Sequence, residues 1–264
     1  ITSAVGVNPA LQECDSKSVI SGALLGESLG LSPSPQLGQY YLVPFKQKEK
    51  RDRNGNILEP ECTKATFIIG YKGMLQLAMR SGYYKKIVVL ELKKGELASF
   101  DPLEETIECS LIEDPDEREA APTVGYYAMF EYQNGFRKAI YWTQNKMMRH
   151  ADHYSKAFSA KEYERLLRGE IPEKELWKYS SFWYTSFDDM AKKTMLRQLL
   201  SHWGMLSNDM QEAFEADGET KTKDGNNLVP EIDAGDTEPI EPVQPNDVPV
   251  PHTTEPANVE ISAP

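Results

Sequence analysis

The sequence predicts a mixed α and β fold in which antiparallel hairpins precede helices. Three observations carry this. Between Tyr40 and Trp142 apolar and aromatic residues alternate around glycine turns, interrupted by one helical stretch, and after Trp142 the spacing turns helical throughout. From Asp217 onward Pro, Asp, Glu and Thr dominate with few aromatics, so the end of the chain reads as disordered.

Ile1–Leu11 and Ser16–Leu31 read as short helices, although "SVISGALLGESLGL" carries three glycines. "SPSPQLGQ" is a loop by its Pro and Gly content. "YYLVPFKQKEK", "RNGN" and "ILEPECTKATFIIG" read as two strands around an Asn-Gly turn, with Pro44 demoting the first to an edge or a bulge. Tyr71–Arg80 has helical spacing and closes at Ser81-Gly82. Tyr83–Leu92 and Glu96–Phe100 read as a hairpin around Lys93-Lys94-Gly95, and Thr106–Ile112 as a further strand. "EDPDEREAAP" is an acidic loop. "TVGYYAMFEYQNGFRKAIYW" is the clearest hairpin, two aromatic-rich strands around Asn134-Gly135. Thr143–Lys156, Ser159–Arg168, Pro172–Tyr179 and Phe187–Trp203 read as helices, and Gln211–Ala216 adds a turn. Residues 1–206 are expected to form the core and 207–264 an acidic, Pro-rich disordered tail.

The chain has 264 residues and a formal net charge of -12. That average hides its distribution. Residues 207–264 hold 14 Asp/Glu and 2 Lys, which accounts for the whole imbalance. Tyr40–Gly95 holds 12 basic and 5 acidic residues, Glu96–Asn134 holds 1 and 11, and Gly135–Trp203 holds 13 and 8. Two basic blocks flanking an acidic insert keep an anionic partner in play. Cys14, Cys62 and Cys109 are odd in number and widely spaced, which argues against a disulfide framework and a zinc site and fits a reducing cytoplasm. No apolar run approaches the roughly 20 residues of a membrane helix, and no signal peptide is recognisable. The first residue is Ile rather than Met, so residues upstream are expected.

Four features bear on function. In "FIIGYKGMLQLAMRSG" a strand feeds a glycine-flanked lysine at a helix start, a place suited to anions. "GYKGMLQ" lacks the spacing and the hydroxyl of a nucleotide P-loop. That leaves a plain turn with Lys72 in solvent, or Tyr71 and Lys72 meeting a nucleic-acid phosphate. On the helix opened by Thr143, Lys146, Arg149, His150, His153 and Lys156 share an arc of about 120°. Such uniform polar faces suit phosphates, while the two histidines alone make a poor metal site. In "SFDDMAKKTMLRQLLSHW", Asp188–Lys192 and Asp189–Lys193 are spaced for helical ion pairs, so Arg197 is expected to be the residue most available to clamp a phosphate. Finally, Tyr83, Tyr84, Phe136, Tyr141 and Trp142 interleave with Lys85, Lys86, Arg137, Lys138 and Lys146, a pattern of single-strand binding or of ordinary core strands. Trp142, at a strand end, is expected to be exposed. The acidic insert, Asp101 to Glu119, could alternatively serve a metal-dependent nuclease if its carboxylates converged. No nucleophile elbow or zinc-protease spacing is present.

The words "NPAL", "LGLSPSPQLGQYYLVPF", "FIIGYKGMLQLAMRSG", "GYYAMFEYQNGFRKAIYW", "HADHYSKAF" and "MAKKTMLRQLL" together resemble the RecT family of phage and prophage single-strand annealing proteins, over roughly residues 8–205. The resemblance implies an α+β fold, a curved antiparallel sheet with hairpins packed against helices, distantly like Redβ and the Rad-family annealing rings. It implies a non-catalytic, ATP-independent recombinase in a bacterial cytoplasm, with no cofactor. Such a protein coats single-stranded DNA, pairs it with its complement and holds the annealed duplex intermediate. Oligomeric rings or helical filaments are implied, with a phage 5′–3′ exonuclease and a host single-strand DNA-binding protein as partners. The expected DNA-binding set is Tyr71, Lys72, Lys85, Lys86, Arg137, Lys138, Trp142, Lys146, Arg149, His153, Lys156, Lys192, Lys193 and Arg197. A non-annealing module that merely protects single strands is the remaining alternative.

Overall fold

The structure is a computed structural model that describes residues 6, 8–47, 50–51, 57–155 and 157–217. It combines helices with four small antiparallel sheets. Strand β1 (Tyr40–Gln47) pairs with β4 (Cys62–Ile69) in unbroken register from Tyr40↔Ile69 to Gln47↔Cys62. Pro44 is accommodated opposite Ala65 because, among the described residues, β1 has a strand on one side only, so its missing N–H falls on the unpaired edge. Strands β2 (Lys50–Arg51) and β3 (Ile57–Glu59) extend this arm, and the Asn54-Gly55 turn between them lies outside the described residues.

Helix α1 (Ser16–Ser28) packs on β1 and β4. Its glycines are there for contact. A Cβ at Gly22 would strike Leu42 and one at Gly26 the ring of Tyr40, so the small residues one turn apart let helix and strands approach. Helix α2 (Tyr71–Arg80) has the expected bounds and ends at Gly82, whose φ of 73° suits glycine.

The main sheet is β5 (Tyr84–Lys93), β8 (Thr123–Tyr132) and β9 (Arg137–Thr143), in the order β5-β8-β9. The expected hairpin around Lys93-Lys94-Gly95 is not formed: β5 pairs with β8, while β6 (Leu97–Asp101) pairs with β7 (Thr106–Cys109). A buried carboxylate closes that turn on itself. Glu96, 1% exposed, accepts from the N–H of Lys93 at 2.7 Å, of Ile112 at 3.1 Å and from Arg118 Nε at 2.7 Å. Burial pushes the Glu96 carboxyl up, but these donors outweigh it and hold it below the ordinary value. The acidic loop is in part a helix, α3 (Pro115–Ala120). Asp114 caps it by accepting from the N–H groups of Asp116 and Glu117, and Pro115 suits its first turn.

Strand β8 is buried on both faces, which explains its uninterrupted aromatic run. Tyr126, Ala128, Phe130 and Tyr132 face the main core, with α4 (Gln144–Tyr154) and α7 (Phe187–Trp203) behind them. Tyr127 and Met129 face a second cluster shared with Leu92, Ala139 and the β6–β7 hairpin. Helices α5 (Ala160–Leu167) and α6 (Phe182–Thr185) flank a 3₁₀ segment, Glu173–Tyr179.

Helix α8 (Asn208–Asp217) is longer than the single turn expected and starts inside the stretch read as tail. It buries Met210, Ala213 and Phe214 in the main core. The acidic tail beyond it lies outside the described residues. Asp217, fully buried, forms an ion pair with Arg197 and accepts from the Ile69 N–H at 3.2 Å.

Candidate nucleic-acid interface

The glycine-flanked turn owes its glycines to packing. Gly70 donates its N–H to the Gln39 carbonyl at 2.8 Å, and the loop before β1 lies across it. A Cβ at Gly70 would collide with the carbonyl oxygen of Gly38, and one at Gly73 with that of Gln39. The start of α2 has no side-chain cap and no acidic residue in its first turn, and Lys72 is exposed beside it. Between α2, β5 and α7 lies a cleft of about 480 Å³ lined by Tyr41, Tyr71, Lys72, Glu91, Asp189 and Lys192. It shares Tyr41, Tyr71 and Asp189 with a second arm of about 530 Å³, lined by Val43, Pro44, Phe182, Met190 and Lys193. Burial pushes both tyrosine hydroxyls up, so they stay neutral donors.

Lys192 bridges Asp189 at 3.1 Å and Glu91 at 3.3 Å. Burial would lower its pKa, but these two carboxylates outweigh that and raise it, so it is charged and locally compensated. The expected Asp188–Lys192 pair is not made. Asp188 instead accepts from Tyr126 Oη at 2.6 Å and Thr123 Oγ1 at 2.9 Å, because the helix turns that carboxylate onto β8.

A second group sits where β5 begins and the β8–β9 turn ends. The register sets Lys86 opposite Glu131 and Glu131 opposite Arg137. Lys85 pairs with the same carboxylate at 2.5 Å, and its hydrogen bond, with the charges of Lys86 and Arg137, holds Glu131 below the ordinary value. Three exposed cations thus surround one acid. Lys138 alternates onto the other face, where it pairs with Glu105 and lies 3.7 Å from the centre of the Trp203 ring. Both are contacts within the chain, and its side chain is only 17% exposed.

The third group is on α4, capped by Thr143. Lys146 lies 4.2 Å over Trp142, and burial there, with Arg149 nearby, pushes its pKa down. Arg149 and His153 are exposed, whereas His150 packs on Trp142 and Tyr154. Trp142 is half-buried rather than exposed, because Lys146 and His150 cover it. Lys156 lies outside the described residues.

Arg197 requires the plainest correction. It is 2% exposed, ion-paired with Asp217 and 5.4 Å from the Phe214 ring, so it cannot reach a phosphate from outside. Its partner lies 20 residues on, in what reads as tail, and no i, i+4 rule points there. The remaining described residues thus form three clusters: Tyr71, Lys72, Lys192 and Lys193; Lys85, Lys86 and Arg137; Trp142, Lys146, Arg149 and His153. Tyr41 and the Glu91 carboxylate join the first, unforeseen from sequence, together with Asp189, which the helical spacing already set beside these lysines. Within the insert, Glu105 is engaged with Lys138 and Asp114 as a helix cap, each in a separate contact. Among the described residues no three His, Cys, Asp or Glu side chains group to hold a metal, and no helix is long and apolar enough to cross a membrane.

The family model described as RecT family matches residues 1–230. Protein RecT of Escherichia coli (strain K12) is 30% identical over 209 residues, 79% of this chain and 65% of that protein. Uncharacterized protein YqaK of Bacillus subtilis (strain 168) is 36% identical over 214 residues, 81% of this chain and 60% of that protein. The chain therefore spans less than two thirds of the length of these curated relatives.

Proposed function

Because the chain belongs to the RecT family, we propose that it binds single-stranded DNA through its phosphates and pairs it with a complementary strand in recombination, without ATP and without covalent chemistry. The observation that carries the reading beyond family membership is the cleft at the start of α2. There an uncapped helix N-terminus, the exposed Lys72, Lys193 and two neutral tyrosine hydroxyls meet. Backbone amides and lysines hold phosphate oxygens without consulting sequence, as annealing of arbitrary strands requires. Glu91 and Asp189 set a limit on the cleft's positive charge, which keeps the grip reversible.

Lys85, Lys86 and Arg137 at one end of the sheet, and Lys146 and Arg149 on α4, supply further backbone contacts. Base edges are then left open for pairing. Copies of the chain assemble along the strand as rings or filaments, an exonuclease supplies the single strand, and a single-strand-binding protein of the bacterial host is the tail's partner.

The test mixes complementary oligonucleotides with the protein in chelator and without nucleotide. Accelerated pairing that spares non-complementary strands is the expected result. Binding without pairing would favour the protective module, and strand cleavage on adding a divalent metal would favour a nuclease.

A further inference from the structure

We propose that Trp203 and Phe136 form a nucleobase-stacking site at the end of the main sheet, one that takes single-stranded nucleic acid by the faces of its bases. The proposal rests on the nucleic-acid reading above and adds a contact that the phosphate clusters do not provide. Trp203 is 54% exposed and Phe136 52%, a large area of aromatic surface to leave in water. Neither ring is loosely held. Phe136 stacks on Tyr132, with centroids 5.7 Å apart and planes at 22°. The Tyr132 hydroxyl accepts from the Met205 N–H at 2.6 Å and donates to the Trp203 carbonyl at 3.3 Å. The buried Tyr84 donates to the Met205 carbonyl at 3.0 Å, and Gly204 is so close to that hydroxyl that a Cβ would not fit. Two buried tyrosines thus fix the backbone that presents Trp203, and one of them also supports Phe136. Exposed rings on an ordered frame lose little conformational freedom on binding.

The charge around the rings identifies the ligand. Lys85, Lys86 and Arg137 are exposed at this end of the sheet, while Lys138, neutralised by Glu105, lies 3.7 Å from the Trp203 ring centre and supports that ring. The core of an interface between protein copies is depleted of charge. A single strand offers both an anionic backbone and π faces, and each base–aromatic stack strengthens binding while tolerating any sequence. Stacking uses the face of a base and leaves its pairing edge free, so the site is compatible with annealing.

The test uses the full chain and two strands of equal length, oligo-dT and an abasic deoxyribose-phosphate strand. Wild type is expected to prefer the base-bearing strand. Combining Trp203→Leu with Phe136→Leu keeps apolar bulk and should lower that preference at least fivefold, the low end for losing one stacked base. Binding to the abasic strand should stay unchanged, and Trp203→Phe should retain most of the preference. An unchanged preference in the double variant overturns the stacking site while leaving DNA binding intact. Loss of both strands together with self-association in sedimentation also overturns it and makes the patch a contact between copies. Wild type that binds neither strand refutes the underlying DNA reading itself.

Discussion

Replacing Asp217 by Ala tests what holds the last described helix to the core. The variant removes the buried counter-charge of the Arg197 guanidinium, which is 2% exposed beside the Phe214 ring, and the acceptor of the buried Ile69 N–H. Breaking one side of a buried ion pair costs about 3–5 kcal/mol, because the surviving charge stays desolvated. For a chain of this size each kcal/mol moves the Tm by about 2–4 °C, so the expected loss is about 6–20 °C. Thermal unfolding followed by circular dichroism at one fixed protein concentration measures it, since association would otherwise shift the Tm. Combining Arg197→Met with Asp217→Asn removes both charges and keeps an oxygen for Ile69, and it should recover more than half of the loss. The same double variant should keep the salt dependence of DNA binding, since a buried Arg197 neutralises no phosphate. A loss below about 1 kcal/mol in Asp217→Ala, or a salt slope one contact smaller in the double variant, refutes the buried-latch assignment.

Other consequences are as specific. Lys72→Ala should weaken single-strand binding equally across sequences and reduce the salt slope by about one contact; an unchanged slope in salt titrations removes Lys72 from the interface. Gly70→Ala should destabilise by about 1–3 kcal/mol in denaturant melts, because its Cβ meets the Gly38 carbonyl. The folded Glu96 carboxyl is held below its unfolded value of about 4.3. Its contribution to stability is therefore complete above that pH and lost as pH falls through the lower folded value. Glu96→Gln should flatten the stability–pH curve in that acid range, and an unchanged curve would mean that Arg118 does not hold the charge. Truncation after Asp217, which spares the ion pair, should leave annealing intact or tighten DNA binding at low salt, where the tail's negative charge acts furthest. Loss of annealing in a folded truncation would assign the tail a direct role.

The elements that could be read from sequence are those whose signals are local. Helix α2 and helix α7 have the bounds their spacing predicts, and the β8–β9 hairpin turns where Asn134-Gly135 places it. Local signals could not supply pairing partners. The strand character of β5 was plain, but its neighbour is β8, some 30 residues on, because the Glu96 carboxylate closes the intervening turn. The glycines of α1 read as interruptions, yet Gly22 and Gly26 are its packing face. Arg197 shows the same limit. On its own helix it lacks an acidic neighbour, and only the fold brings Asp217 to it. Lysine positions were legible as charge, but whether a carboxylate from another strand meets them, as Glu131 meets Lys85, was not.

Annealing itself is tested most directly by comparing the salt resistance of three complexes: protein on one strand, on a preformed duplex, and on two complementary strands added in sequence. An annealing protein must bind the newly paired product at least as well as the single strand, because only differential affinity drives the equilibrium. A preformed duplex is wound and stacked, and opening it costs a few kcal/mol per unstacked step. The sequentially assembled complex should therefore survive the highest salt and be the most extensively oligomerised. Dissociation of all three at the same salt, or equal resistance with a non-complementary second strand, would contradict the annealing account.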